Sequence, residues 1–224
     1  MEKKRIALII PHTDITLETD LQRNLPKNYI LHTHRIWLDE VGEEAEKRMV
    51  DTELPNGIKF LKNIANYEAA IFGCTSASAV YGIDGLKSLE ALLSMQLGCR
   101  SISAFGGVLK EIRERRAKKI AMITPYPDPV NKFMVRTLNN FGVNIVYYNG
   151  LGLSDDTEIS KVEPSAIKKF IQDNKDYIIN NADLCFISCT NFRAMEIRND
   201  VEKMLGVDTI TSNYGIFRFI MESC

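Results

Sequence analysis

No apolar run in this 224-residue chain approaches the ~20 residues that would span a bilayer. The opening Met1-Glu2-Lys3-Lys4-Arg5 leads only into the short apolar run Ile6 to Pro11, too short for a signal-peptide core. The expected compartment is therefore the cytoplasm. An excess of either charge is missing too: 28 Lys and Arg stand against 29 Asp and Glu, a net charge of −1. That balance argues against a nucleic-acid partner and against an acidic disordered tail. Histidine is scarce and scattered at His12, His32 and His34. His32 and His34 share one face of an expected strand, read as a solvated edge. His12 lies on the loop after the first strand, where it could touch a ligand. No Cys- or His-rich segment offers a zinc-ligand set, so no metal is expected. Gly106-Gly107 lacks the lysine of a phosphate loop. The five cysteines, an odd number in a reducing compartment, read as free thiols. Cys99 and Cys224 look structural or incidental.

What the chain does contain is an ordinary globular composition, 45% hydrophobic and 25% charged, enough for a real core. Ile6 to Ile10, ended by Pro11, reads as a central parallel strand. Thr16 to Leu25 reads as a brief helix and Tyr29 to Trp37 as a second strand. Glu43 to Ala65 reads as two helices broken at Pro55-Asn56-Gly57. The apolar run Ala69 to Phe72 is a third strand. Ala79 to Gln96 follows as a helix with a broad apolar face at Leu86, Leu89, Ala91, Leu92, Leu93 and Met95, ended by Gly98. Arg100 to Ser103 is a short strand and Phe105 to Arg116 another helix.

The pattern then restarts. Arg5 to Asp14 aligns with Lys119 to Asp128, Cys74-Thr75 with Cys189-Thr190, and Ser101 to Val108 with Thr209 to Ile216, at offsets of 108 to 115 residues. Three landmarks recur in one order at nearly one spacing. Strands alternating with helices in each copy predict an α/β fold of two parallel-sheet halves, paired about a pseudo-two-fold axis with a cleft between the strand ends. The expected division is 1–98 with about 212–224 as the first half, and 99–211 as the second. No linker rich in Gly, Pro or Ser separates them, which predicts tight packing.

Each copy delivers one thiol to that cleft. Ile71-Phe72-Gly73-Cys74-Thr75-Ser76 and Phe186-Ile187-Ser188-Cys189-Thr190-Asn191 each end a buried strand in a Cys-Thr pair, at the sheet rim where ligands bind. A single cysteine after an apolar run is most often a buried small hydrophobe. Two at equivalent places in a repeat point instead to catalysis by Cys74 and Cys189. A thiolate on one face of a planar intermediate and a thiol on the other can move a proton across a stereocentre without a cofactor. The same pair can add sulfur to a double bond, permit rotation and eliminate. Both cysteines are expected where a strand hands over to a helix, whose N-terminus would lower their pKa. The amides of Thr75, Ser76, Thr190 and Asn191 would then face an anion. Tyr126, ending the first strand of the second copy, is a candidate for the same cleft.

With Gly73-Cys74-Thr75-Ser76, Thr124-Pro125-Tyr126, Ser188 to Arg193 and Thr211-Ser212-Asn213, the whole chain resembles the aspartate/glutamate racemase superfamily, in its maleate cis-trans isomerase and arylmalonate decarboxylase branch. The resemblance implies two flavodoxin-like halves, no metal and no pyridoxal phosphate, and a homodimer. It implies an isomerase or racemase of a small carboxylate, with Thr75, Ser76, Tyr126, Thr190 and Asn191 holding a substrate carboxylate. An amino-acid or hydantoin racemase, a decarboxylase and a non-catalytic carboxylate-binding module are the alternatives. The decarboxylases of this branch keep a catalytic cysteine only in the second half, so two thiols favour isomerisation. The chain departs from the maleate isomerases where they carry asparagines: it has Asp14 after Pro11-His12-Thr13, and Asp156 in Ser154-Asp155-Asp156-Thr157. An ionised Asp cannot donate to a carboxylate. The expected substrate is therefore not maleate, and presents an amino group or another donor to these acids.

Overall fold

The computed structural model describes residues 2–223; the expectation for Cys224 lies outside them. Strand β1 (Lys4–Pro11) is the centre of the first half, with Ile6 to Ile10 wholly buried. It is followed by α1 (Thr16–Asn24) and β2 (Tyr29–Ile36). Next come α2 (Glu43–Arg48), α3 (Leu54–Leu61), β3 (Ala69–Phe72), α4 (Thr75–Ala79), α5 (Gly82–Leu97), β4 (Arg100–Ser103) and α6 (Ala104–Arg115).

The second half repeats the plan. Its strands are β5 (Lys119–Thr124), β6 (Asn144–Gly150), β7 (Leu184–Ile187) and β8 (Asp208–Thr211). Its helices are α7 (Asp128–Phe141), α8 (Asp156–Ser160), α9 (Pro164–Asp173), α10 (Lys175–Ile179), α11 (Arg198–Leu205) and α12 (Ser212–Ser223). The strand orders are β2-β1-β3-β4 and β6-β5-β7-β8, parallel throughout. One fold occurs twice, with corresponding strands in corresponding places.

The last helix of each copy crosses over. Phe105, Val108, Leu109 and Ile112 of α6 pack into the core of the second sheet, with Ile120, Met122 and Phe186. Ile216, Phe219 and Ile220 of α12 pack under the first sheet, against Ile6, Leu8 and Ile10. Because β4 pairs with β3, the first sheet runs beyond residue 98, where the sequence put its edge. A four-residue strand carries too little periodicity to assign it to either copy.

Two helices differ from their expected form. Pro55-Asn56-Gly57 does not break the second helical region: α2 passes through one wide π turn at Met49–Glu53 directly into α3. Pro55 stands in the first turn of α3, where its missing N–H is tolerated. In α5 only Leu86, Leu89 and Leu93 are buried, while Met95 is 71% exposed. The inward stripe is narrow, following spacings of three and four, and Ala91 and Met95 fall outside it. Gly98 ends α5 in the left-handed region (φ 67°), as its position predicts. No helix among the described residues is long and apolar enough to cross a membrane.

Candidate active site

Both cysteines leave the carboxyl ends of equivalent central strands. After β3 the chain turns at Gly73, where a Cβ would lie 2.4 Å from Leu17 Cδ2 and 2.8 Å from Ile10 Cγ2. A side chain there would push Leu17 and Ile10 aside; the glycine avoids this and carries Cys74 to the residue before α4. After β7, Cys189 lies in an irregular loop with φ 91°, a backbone conformation costly for a residue with a Cβ. The expected helix after Cys189 is absent; the next helical turn begins only at Met195. Instead the loop is clamped by its neighbours. Thr190 Oγ1 donates to the Gly73 carbonyl (3.3 Å) and Thr16 Oγ1 to the Asn191 carbonyl (3.1 Å).

The two thiols are buried, Cys74 at 6% and Cys189 at 5% exposure, and near enough for the charge of one to bear on the other. The Ala77 N–H donates to the Cys74 sulfur, and the Asn191 N–H and Tyr126 hydroxyl donate to the Cys189 sulfur. These contacts favour the thiolates, yet burial outweighs them and holds both thiols well above their ordinary pKa. For Cys74 the next cause is Glu46, for Cys189 it is Asp156. The lowering expected from a helix N-terminus does not win: in a buried site beside carboxyls, both sulfurs rest protonated.

Three buried carboxyls, two of them expected from the sequence, lie within electrostatic reach of the thiols. Asp14 Oδ1 accepts the Thr16 and Leu17 N–H groups (both 2.9 Å) at the start of α1; its buried Oδ2 has no hydrogen-bond partner among the described residues, though the nearby Thr190 hydroxyl lowers the carboxyl's pKa. Burial first, and Asp156 second, raise its pKa to about 7. Asp156 opens α8; its Oδ2 accepts from Thr13 Oγ1 (2.5 Å) and Asn191 Nδ2 (3.0 Å), and burial raises its pKa. The carboxyl of Glu46, on α2, is wholly buried, accepts the Ser76 hydroxyl and is pushed by burial to about 8. Glu46 escaped the sequence reading because Glu43, Glu44 and Glu46 look like one solvated acidic face. Its spacing of three from the buried Met49 was the one available signal.

All nine expected site residues are buried. Electrostatic contact links Cys74, Cys189, Tyr126, Asp14, Asp156 and Glu46 into one cluster. The expected carboxylate donors are already engaged within the protein. Thr75 Oγ1 donates to Ser212 Oγ (2.8 Å), Ser76 to Glu46, and Asn191 Nδ2 to Asp156 and the Thr13 carbonyl. Asn213 supports the arrangement from behind, donating to Asp20 Oδ2 (2.7 Å) and the Thr190 carbonyl (2.9 Å). His12 stacks on Trp37 at 4.1 Å within electrostatic reach of Asp156, and His34 stacks on Phe60 at 4.8 Å.

Comparison with known proteins agrees with this fold. The arylmalonate decarboxylase family profile matches residues 24–221. Maleate isomerase of Geobacillus stearothermophilus is 23% identical over 222 residues, covering 93% of this chain and 86% of its own. Nocardia farcinica maleate cis-trans isomerase bound to Tris superposes with a TM-score of 0.85 at 18% identity, over 98% of this chain and 92% of that one. A cysteine-to-serine mutant of the same isomerase, with a covalently bound succinylcysteine intermediate, gives 0.84 at 18% identity with the same coverage.

Proposed function

Since the chain belongs to the arylmalonate decarboxylase family, we propose that it is a cofactor-independent isomerase or racemase of a small carboxylate, working through Cys74 and Cys189. The observation that carries this reading is the pair of buried thiols, one from each copy of the fold, each held by a backbone N–H and close enough to sense the other. Two such sulfurs suit a reaction in which opposite faces of one carbon are served. The succinylcysteine of the Nocardia relative is the product expected when a thiol adds across a double bond. In this chain one sulfur would form the C–S bond while a proton reaches the neighbouring carbon. Rotation about the resulting single bond and loss of both groups would complete an isomerisation. In a racemisation the same sulfurs would exchange a proton at one carbon.

Because both thiols rest protonated, substrate binding has to generate the thiolate. Tyr126, donating to Cys189, is placed to stabilise it there. Asp14 and Asp156 belong to the same reading as groups that meet a donor on the substrate, and Thr75, Ser76, Thr190 and Asn191 as the walls that fix it. The assembly is a homodimer in this reading, to be checked by light scattering. The test of function is turnover across a panel of small carboxylates in the presence of a chelator. Loss of that turnover in both Cys74→Ala and Cys189→Ala supports the reading, and retention in both removes it.

A further inference from the structure

The peptide that joins Thr190 to Asn191 is held at both of its polar ends. Its N–H, on Asn191, donates to the Cys189 sulfur. Its carbonyl, on Thr190, accepts from Asn213 Nδ2 at 2.9 Å. A peptide unit is planar, so whatever holds the carbonyl also aims the N–H. The same Asn213 Nδ2 donates to Asp20 Oδ2 at 2.7 Å. Asn213 and Asp20 are both buried, and Asn213 Oδ1 has no hydrogen-bond partner among the described residues. The orientation of that amide is therefore decided on its Nδ2 side alone. Turned over, it would set its oxygen against the Asp20 carboxylate and the Thr190 carbonyl, three acceptors together.

We propose that Asp20 is a positioning residue for Cys189: its carboxylate fixes the Asn213 amide, which holds the Thr190–Asn191 peptide with its N–H on the sulfur. This rests on the two-thiol reading above and adds to it a residue that acts from α1, through Asn213. The backbone at Cys189, with φ 91°, needs such a hold, because a residue with a Cβ does not rest there unaided. Asp20 also lines a cleft of about 210 Å³ with Thr16, Thr19, Arg23, Arg193 and Glu196, which gives its proton a way to solvent. Burial raises its pKa to about 6; the Asn213 bond opposes the rise, Glu196 adds to it, and Arg23 and Arg193 oppose it. Once protonated, Asp20 becomes a donor and suits the turned amide. The Thr190 carbonyl then loses its partner and the Asn191 N–H its aim.

The experiment is alkylation by iodoacetamide, read by mass spectrometry as the ratio of the Cys189 rate to the Cys74 rate between about pH 5 and pH 8. A general loosening of the fold moves both rates, whereas a lost donor at Cys189 lowers the ratio. At pH 8, Asp20→Ala is expected to lower it about fivefold or more, Asn213→Ala to lower it alike, and the double variant to lose nothing further. Asp20→Asn keeps an oxygen for Asn213 Nδ2 and should restore the ratio. In wild type the ratio should fall as the pH drops through about 6, and in Asp20→Asn it should not. Asp14 titrates in both proteins, so the difference belongs to Asp20. If Asp20→Ala folds poorly, the pH profile of the asparagine variant carries the test. A ratio in Asp20→Ala equal to or above that of wild type, or one pH profile shared by wild type and Asp20→Asn, overturns the proposal. If that happens while turnover still needs both cysteines, only the role of Asp20 falls. If the ratio behaves as expected but turnover survives loss of either cysteine, the functional reading falls and the hold on Cys189 stands.

Discussion

Gly107 of α6 and Gly215 of α12 meet backbone to backbone. A Cβ on Gly107 would lie 2.9 Å from the Gly215 carbonyl carbon, and one on Gly215 would lie 2.8 Å from the Gly107 carbonyl carbon. The two glycines are equivalent positions in the sequence repeat, so the pair lies where the two copies cross. Their contact brings together the helices that each copy lends to the other.

Gly107→Ala is accordingly expected to destabilise the fold by about 1–3 kcal/mol, the usual cost of forcing a methyl into closed packing. Thermal unfolding measures it. Gly42→Ala is the comparison, since a Cβ there meets nothing within 4 Å. A loss at Gly107 no greater than at Gly42 would contradict the close crossing.

That crossing was partly legible beforehand, because the repeat aligns Ser101 to Val108 with Thr209 to Ile216. The two sheets and both Cys-Thr termini follow from apolar runs whose length and order leave few topologies. The loop around Cys189 was not legible. Its φ of 91° is imposed by tertiary contacts with Gly73 and α1, which no local pattern encodes. Glu46 was hidden for a related reason: whether a glutamate in an acidic run faces water or a thiol depends on what packs over it.

The buried carboxyl of Asp14 makes stability depend on pH. Its folded pKa, about 7, lies above the ordinary carboxylate value, so the folded state binds more protons than the unfolded state between about pH 4 and 7. Its contribution to stability is fully present below that window and is lost as the pH rises through 7. Asp14→Asn keeps an oxygen for the Thr16 and Leu17 N–H groups and removes the titration. The variant should match wild type near pH 4 and be more stable by up to about 4 kcal/mol at pH 8. Denaturant unfolding at the two pH values checks this, and a difference independent of pH would contradict it.

Tyr126→Phe removes the hydroxyl that donates to Cys189 and lowers its pKa. The pKa of Cys189, already raised by burial, should move further up. Alkylation of that thiol would then begin at higher pH than in wild type, and turnover at neutral pH should fall roughly tenfold or more. An unchanged alkylation profile would mean that the hydroxyl does not reach the sulfur in solution.

Thr190→Val deletes the bond from Oγ1 to the Gly73 carbonyl, which ties the Cys189 loop to the turn before Cys74. A cost of about 1 kcal/mol in stability is expected. The larger effect should fall on turnover, because the spacing of the two sulfurs depends on that tie. Equal proportional losses in Thr190→Val and Thr19→Val would argue against it, since Thr19 holds only a carbonyl on the exposed side of α1.

The most direct measurement is wash-in of solvent deuterium at the substrate's reacting carbon, followed by mass spectrometry and chiral analysis for wild type, Cys74→Ala and Cys189→Ala. Two sulfurs serving opposite faces predict that wild type both exchanges and inverts or isomerises. Neither single variant should complete the reaction, although one of them can still exchange from its remaining face. Full conversion by either alanine variant at the wild-type rate would contradict the account.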